Sequence, residues 1–342
     1  MRYLIYYIAI FFAVACSGTE SGENEPTTTP DPDPDPPTQT ESIATLSVGN
    51  IAMVDNGDVE MVTSSWSSSG ADEITAFVAN STVVNGGVLR VSFDSATKYS
   101  HLIVGSGGGS SAIRVATSAV SGDLYSYSFM VLIDQSCTSS FDLYVAGESG
   151  GVQSRPYTHS IDIEPVRSEG LQIVLGFDSD EDMDLHLFMP MAIGSGSELY
   201  FGNQGLCDEF DEVICGFDVM ANNNCQGLEE EFRYESISIP DGYLTSGEYV
   251  VKVNLYSICT AYPERSTNYV VCAMYGGELL AIADGSLNGD DENRVDLDRY
   301  TEAFVVSLDL SEAISLCARS GGGGRVIELA AAERAKLYYR GW

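Results

Sequence analysis

Basic residues are scarce in this chain of 342 residues: 16 Lys and Arg stand against 50 Asp and Glu, for a net charge of −34. No basic stripe is left to neutralise phosphates, which excludes nucleic acid as a partner. The same imbalance argues against docking on anionic lipid headgroups through the body of the protein, and it favours cations as ligands. Histidine is scarcer still, three in all and none near another, which makes a histidine-based metal centre improbable. No Cys-x-x-Cys pair occurs, so neither a zinc ribbon nor a thioredoxin-type site is expected. Trp numbers only 2 beside 19 Tyr and 13 Phe. Tyrosine lines sugar-binding surfaces but also suits strands generally, so it does not discriminate.

What is present begins with a targeting segment. Arg2 supplies a positive start, and residues 3–14 are an almost uninterrupted apolar run too short to span a bilayer. The run ends Ala13-Val14-Ala15-Cys16. Small residues before a cysteine resemble the bacterial lipoprotein processing box, which makes residues 1–15 a signal peptide and Cys16 the lipidated residue. Residues 16–43 follow as a linker, with Pro30-Asp31-Pro32-Asp33-Pro34-Asp35-Pro36-Pro37 at its centre. Repeated Pro favours extended backbone and the Asp charges repel, so this is a stiff spacer. Glu20, Glu23 and Glu25 resemble the surface-export signals of some Gram-negative lipoproteins. The expected location is the cell envelope, lipid-anchored in the outer membrane, with the periplasmic and the surface side both open.

Hydrophobic residues make up 44% of the chain, enough for more than one core. Residues 44–166 read as short strands joined by turns, at 88–93, 125–133, 141–146 and 159–163, and Asn85-Gly86-Gly87 signals a hairpin before the first of them. No helical period lasts through this stretch. Residues 167–318 read as a second β domain, with strands at 171–177, 184–189, 198–201, 236–239, 248–257, 268–275, 278–283 and 303–308, and Tyr275-Gly276-Gly277-Glu278 as a tight turn. The fold class is therefore all-β: two tandem β-sandwiches, immunoglobulin-like or jelly-roll-like. Residues 319–342 read as a glycine linker and a short C-terminal helix over 326–339.

Export places the cysteines where disulfides persist. Cys207, Cys215, Cys225, Cys259, Cys272 and Cys317 form an even set in the second domain. Their pairing is open, with Cys259 and Cys272 plausible across a hairpin. Cys137 stands apart, as a buried thiol or as a partner reaching between domains.

The most unusual stretch is residues 178–190, DSDEDMDLHLFMP. Asp178, Asp180, Asp182, Asp184 and His186 recur at every second place. In an extended strand residues two apart share a face, so Asp182, Asp184 and His186 point one way and Met183, Leu185 and Leu187 the other. Adjacent carboxylates repel unless solvent or a cation screens them. One reading is a calcium site built from Asp178, Asp182, Asp184 and a distant acid such as Asp218. The other is a solvated face with His186 hydrogen-bonded to a neighbouring strand. An EF-hand is excluded, because Met183 and Met189 occupy its glycine and glutamate positions. A second cation candidate is Asp284, Ser286, Asn288 and Asp290, with Gly289 for the bend, read as a loop that lacks the closing acid.

From Leu171 to about Tyr275 the sequence resembles a family of bacterial secreted or lipid-anchored β-sandwich modules with an Asp-x-Asp-Leu-His signature. Phe177-Asp178, Asp182, Asp184-Leu185-His186-Leu187 and Pro190 match its core. Tyr200-Phe201-Gly202-Asn203, then Asp218, then Glu235-Ser236-Ile237, then Gly247-Glu248-Tyr249-Val250-Val251-Lys252-Val253 follow in the family's order. The cysteine-bearing segment 205–226 departs from its spacing. The resemblance implies a β-sandwich without a catalytic role, with His186, Asn203 and Glu235 as further motif residues.

Gly147-Glu148-Ser149-Gly150-Gly151 is similar to a serine-protease nucleophile segment, but His101 lacks the flanking motif and the domain is too short for a double barrel, so it reads as a glycine-rich turn. The expected function is a non-enzymatic binding, adhesion or structural module, supported by calcium, attached to the membrane through lipid and facing a protein or glycan partner. The alternative is an accessory, non-catalytic domain of a secreted hydrolase or glycan-utilisation system.

Overall fold

The structure is a computed structural model and describes residues 42–64, 66, 74–107, 109–117, 119–168, 170–190, 198–200, 205–207, 213–219, 233–259, 266–289, 300–310 and 338–339. The signal peptide, Cys16 and nearly all of the linker lie outside the described residues. In the first half the strands are β1 (Thr45–Val48), β2 (Ile51–Val54), β3 (Val59–Thr63), β4 (Thr75–Val78), β5 (Thr82–Val84), β6 (Val88–Ser95), β7 (His101–Ser106), β8 (Ser111–Ala116), β9 (Val120–Ser121), β10 (Tyr125–Ile133), β11 (Phe141–Ser149), β12 (Val152–Gln153) and β13 (Tyr157–Glu164). One sheet runs β1-β2-β10-β6-β4 with β9 beside β10, and the other β3-β8-β7-β11-β13-β5 with β12 beside β11. Only β5 and β13 pair in parallel; the other described pairs are antiparallel. Alternate residues of each strand face inward, so Leu89, Val91 and Phe93 of β6 meet Leu102 and Val104 of β7 and Leu143 and Val145 of β11 in one core.

The second half comprises β14 (Leu171–Phe177), β15 (Asp182–Phe188), β16 (Glu198–Leu199), β17 (Gly205–Cys207), β18 (Val213–Val219), β19 (Tyr234–Ile239), β20 (Gly247–Ser257), β21 (Thr267–Tyr275), β22 (Glu278–Leu287), β23 (Thr301–Leu308) and β24 (Tyr338–Tyr339). A long sheet, β22-β21-β14-β19-β18-β17-β24, faces a short one, β16-β15-β20-β23. Two tandem β-sandwiches are thus present, as the strand pattern predicts. Tyr275-Gly276-Gly277-Glu278 is the predicted hairpin between β21 and β22, with both glycines at positive φ. The predicted C-terminal helix falls mostly outside the described residues, but its last two residues form β24, paired with Leu206 and Cys207. Paired tyrosines favour strand over helix.

The sandwiches are welded along the long sheet. Period-two alternation sends Ile173 and Leu175 of β14, and Val271 and Ala273 of β21, into the second core. Their neighbours Val174, Val270, Cys272 and Met274, with Tyr234 and Leu279, belong to the core of the first sandwich. Each fully buried apolar side chain is worth about 1.5–3 kcal/mol, which overrides the usual expectation of a hinge between domains.

Asn85-Gly86-Gly87 sits at this joint, and its predicted hairpin role is corrected. β5 and β6 belong to different sheets, so the turn carries the chain across the sandwich. Its polar groups tie the two halves: Asn85 Nδ2 donates to Gln135 O (2.8 Å) and Val166 O (3.1 Å), and Gln172 Nε2 donates to Asn85 O (2.8 Å). Tyr234 OH donates to Val88 O (3.2 Å) and Gly277 N to Gln135 Oε1 (2.9 Å).

Cys272 is a free, buried thiol that donates to Gly86 O at 3.2 Å. The suggested Cys259–Cys272 bridge is therefore corrected: Cys272 points at the first sandwich, away from its own core, and Cys259 is disulfide-bonded elsewhere. Cys207 and Cys215 lie on β17 and β18, their side chains outside the described set, as are Cys225 and Cys317. Cys137 is the buried thiol that the first of its two readings expects. Burial pushes the Cys272 thiol up to about 12 and also raises Cys137, which suppresses the thiolate. Iodoacetamide followed by peptide mapping should leave both unmodified in native protein and alkylate both in denaturant; native labelling of Cys272 would contradict the weld.

Candidate functional site

β14 ends at Phe177 in the long sheet and β15 begins at Asp182 in the short one. Residues 178–181, between the two predicted strands, bend to change sheets, so the every-second-place acids lie on a strand only from Asp182 onward. Acids in the bend serve the backbone and neighbouring side chains. Asp178 Oδ1 accepts from Asn268 N (2.8 Å) and its Oδ2 from Asn268 Nδ2 (2.7 Å). Asp180 pairs with Arg233, and Glu181 Oε2 accepts from Cys259 N.

Asp182, Asp184 and His186 share the outer face of β15 with Phe188, while Met183, Leu185 and Leu187 enter the second core. The expectation of a solvated face is corrected: the three are 3%, 7% and 2% exposed. His186 does bond to a neighbouring strand, with Nδ1 2.7 Å from Oε1 of Glu198 on β16. Its ring stacks on Tyr200 (centroids 5.2 Å apart) and meets Tyr300 edge-on (4.7 Å). Across the strands Asn254 lies opposite Asp184, and Lys252 opposite His186. The Lys252 ammonium lies over the faces of Phe188 (4.9 Å) and Tyr300 (5.9 Å).

Burial, and secondarily the charge of Asp182, pushes the Asp184 carboxyl up to about 7. Glu235, buried on β19, reaches the backbone of the same strand. β16 covers only Leu187 and Phe188 of β15, and Glu235 Oε2 accepts from Leu185 N at 2.7 Å beyond that cover. The edge amide is thereby satisfied where no strand pairs with it.

The second cation candidate does not form the predicted loop. Asp284 and Ser286 lie on β22, paired opposite Val270 and Asn268, so alternate positions project from a strand where a coordinating loop would wrap. Asp284 Oδ2 is 3.5 Å from Arg90 Nη2, and Ser286 Oγ is 2.5 Å from Ser266 Oγ. Asn288 follows the strand; Asp290 and Asn203 lie outside the described residues, as does the side chain of Asp218 on β18. No group of three or more His, Cys, Asp or Glu side chains among the described residues could hold a metal ion.

The predicted turn over Gly147–Gly151 is shorter than expected: Gly147, Glu148 and Ser149 end β11, and only Gly150 and Gly151, both at positive φ, turn the chain towards β12. Glu148 accepts from Arg114 Nη2 at 2.6 Å, and His101 Nδ1 lies 3.0 Å from Ser100 Oγ. Sequence reasoning missed Glu198, Lys252, Asn254 and Tyr300. Lys252 and Asn254 were signalled only as the outward positions of the Gly-x-Tyr-x-Val-x-Val strand, and nothing local placed them beside β15.

No family model matches the chain and no curated protein matches it. Among solved structures, the two fibronectin type-III domain segment from chicken tenascin aligns with 63% of this chain and 98% of that chain, at 11% identity and a TM-score of 0.20. At that score the likeness carries no inference. Among the described residues no helix is long and apolar enough to cross a membrane.

Proposed function

We propose that this protein is a bacterial cell-envelope lipoprotein whose two sandwiches act together as a rigid, non-enzymatic binding or structural module. The observation that carries this reading is the weld: β14 and β21 bury one face in each sandwich, so the pair presents its surfaces to a protein or glycan partner in a fixed relation. Lipid on Cys16 would hold it to the outer membrane, with the proline–aspartate segment as the spacer. Calcium support remains part of the proposal only at the outer face of β15, since Asp178 and Asp284 are engaged by Asn268 and Arg90.

Membrane fractionation tests the anchor. The full chain expressed in a Gram-negative host should sediment with outer membrane and enter the detergent phase on phase separation. Cys16→Ser should move it to the soluble fraction with its fold intact by circular dichroism. Membrane retention of the Cys16→Ser chain would sink the lipoprotein reading.

A further inference from the structure

Three buried acceptors on the outer face of the short sheet sit side by side. The Glu198 carboxylate accepts from His186 Nδ1, so in the neutral ring Nε2 presents its lone pair. Nε2 is buried without a hydrogen-bond partner, in a side chain 2% exposed. Asn254 Oδ1 is also buried without a partner, again in a residue 2% exposed. Asp184 is the direct cross-strand partner of Asn254 and is two residues from His186 on the same face. Directly opposed residues have Cβ atoms about 5 Å apart, and same-face neighbours along a strand are roughly 6.5–7 Å apart. Side chains of this length can close on one ion across such spacings.

His186 Nε2 and Asn254 Oδ1 are acceptor atoms without a donor, and the Asp184 carboxyl joins them as an acceptor once it ionises, so the natural guest of the three is electropositive. Lys252, directly across the strands from His186, has its ammonium against aromatic faces. The Glu198–His186 contact is the arrangement that orients a metal-ligating imidazole and raises its basicity, and Tyr200 and Tyr300 fix the ring plane. We infer that His186 Nε2, the Asp184 carboxylate and Asn254 Oδ1 bind a divalent first-row transition ion such as Mn2+ or Zn2+, with Glu198 as positioning residue. Two of the three ligands are His and Asp and the third is an amide oxygen, which is why the set is not a trio of His, Cys, Asp or Glu. Calcium takes oxygen ligands, whereas an imidazole nitrogen shifts preference towards the transition ions. The inference rests on reading the β15 face as a cation site and changes which cation it takes.

The test is titration of the chelator-stripped full chain with Mn2+, Zn2+ and Ca2+ by calorimetry, and pulsed EPR of the Mn2+-loaded protein. One equivalent of Mn2+ or Zn2+ should bind at least tenfold more tightly than Ca2+. The EPR should show nitrogen coupling from an imidazole. His186→Gln should abolish that coupling, and Glu198→Gln should weaken binding by about 10–100-fold, each variant being folded by circular dichroism. Calcium binding more tightly than both other ions, absence of nitrogen coupling in the wild type, or Zn2+ affinity unchanged in His186→Gln overturns the inference. The first of these leaves the calcium reading standing; failure of all three ions to bind the wild-type chain overturns both.

Discussion

Replacing Gly86 with alanine is expected to destabilise the whole folded unit by several kcal/mol and to unfold both sandwiches in one transition. Gly86 has φ +74, and a Cβ there would lie 2.3 Å from Gln172 Oε1 and 2.8 Å from its Cδ. The left-handed backbone costs an L-residue about 1–2 kcal/mol. Gln172 is completely buried and hydrogen-bonded to Asn85 O, so it has nowhere to swing, and overpacking of this kind costs about 1–3 kcal/mol. Displacing it strands a buried carbonyl, at about 1–3 kcal/mol more. The Cys272 thiol bonded to Gly86 O is disturbed at the same time. Against a total stability of about 5–15 kcal/mol this is severe. Gly57 is the control: its φ is +89 but a Cβ there meets nothing within 4 Å, so Gly57→Ala isolates the backbone cost. Urea unfolding followed by fluorescence and circular dichroism would read both. A Gly86→Ala midpoint no lower than that of Gly57→Ala, or two separated transitions in the wild type, would show that the joint does not couple the sandwiches.

The strands were largely legible because period-two burial leaves its mark within a few residues. Tyr125–Ile133 and Leu171–Phe177 occur as predicted to the residue. What a local pattern cannot carry is which sheet a strand joins. Leu171–Phe177 reads as apolar but for Gln172 because it feeds two cores, yet the sequence offers no sign of the second. The same blindness turned Asn85-Gly86-Gly87 into a hairpin, since glycines fit a crossing between sheets as well as a turn within one. At the site, Asp184 and His186 stood out as unusual residues on a readable strand. Glu198 and Asn254 did not, because their meaning comes from register across β16 and β20, and one sequence does not encode register visibly.

Asp184→Asn is expected to stabilise the chelator-treated protein at pH 8 while leaving it nearly unchanged at pH 4. The Asp184 carboxyl titrates at about 7 in the folded protein, raised first by burial and then by Asp182, against an ordinary 3.8 when unfolded. Between those values the folded chain holds a proton that the unfolded chain has released. Stability therefore falls as pH rises from about 4 to 7, and above 7 the full cost of a buried carboxylate is present. At 1.36 kcal/mol per pH unit the penalty is on the order of 4 kcal/mol at most, in a side chain too buried for solvent to relieve it. Asparagine keeps the shape and cannot ionise, so it removes the penalty and flattens the pH profile. Other acids also titrate, so the decisive quantity is the variant-minus-wild-type difference at pH 8 less the same difference at pH 4, measured by urea unfolding. The groups facing Asp184 from the described strands are Asp182, His186, Lys252 and Asn254. If Lys252 held Asp184 ionised, Asp184→Asn would instead destabilise most at pH 8. That sign, or equal destabilisation at both pH values, would show that Asp184 is buried as a stabilised charge and that its cost in the free protein is absent.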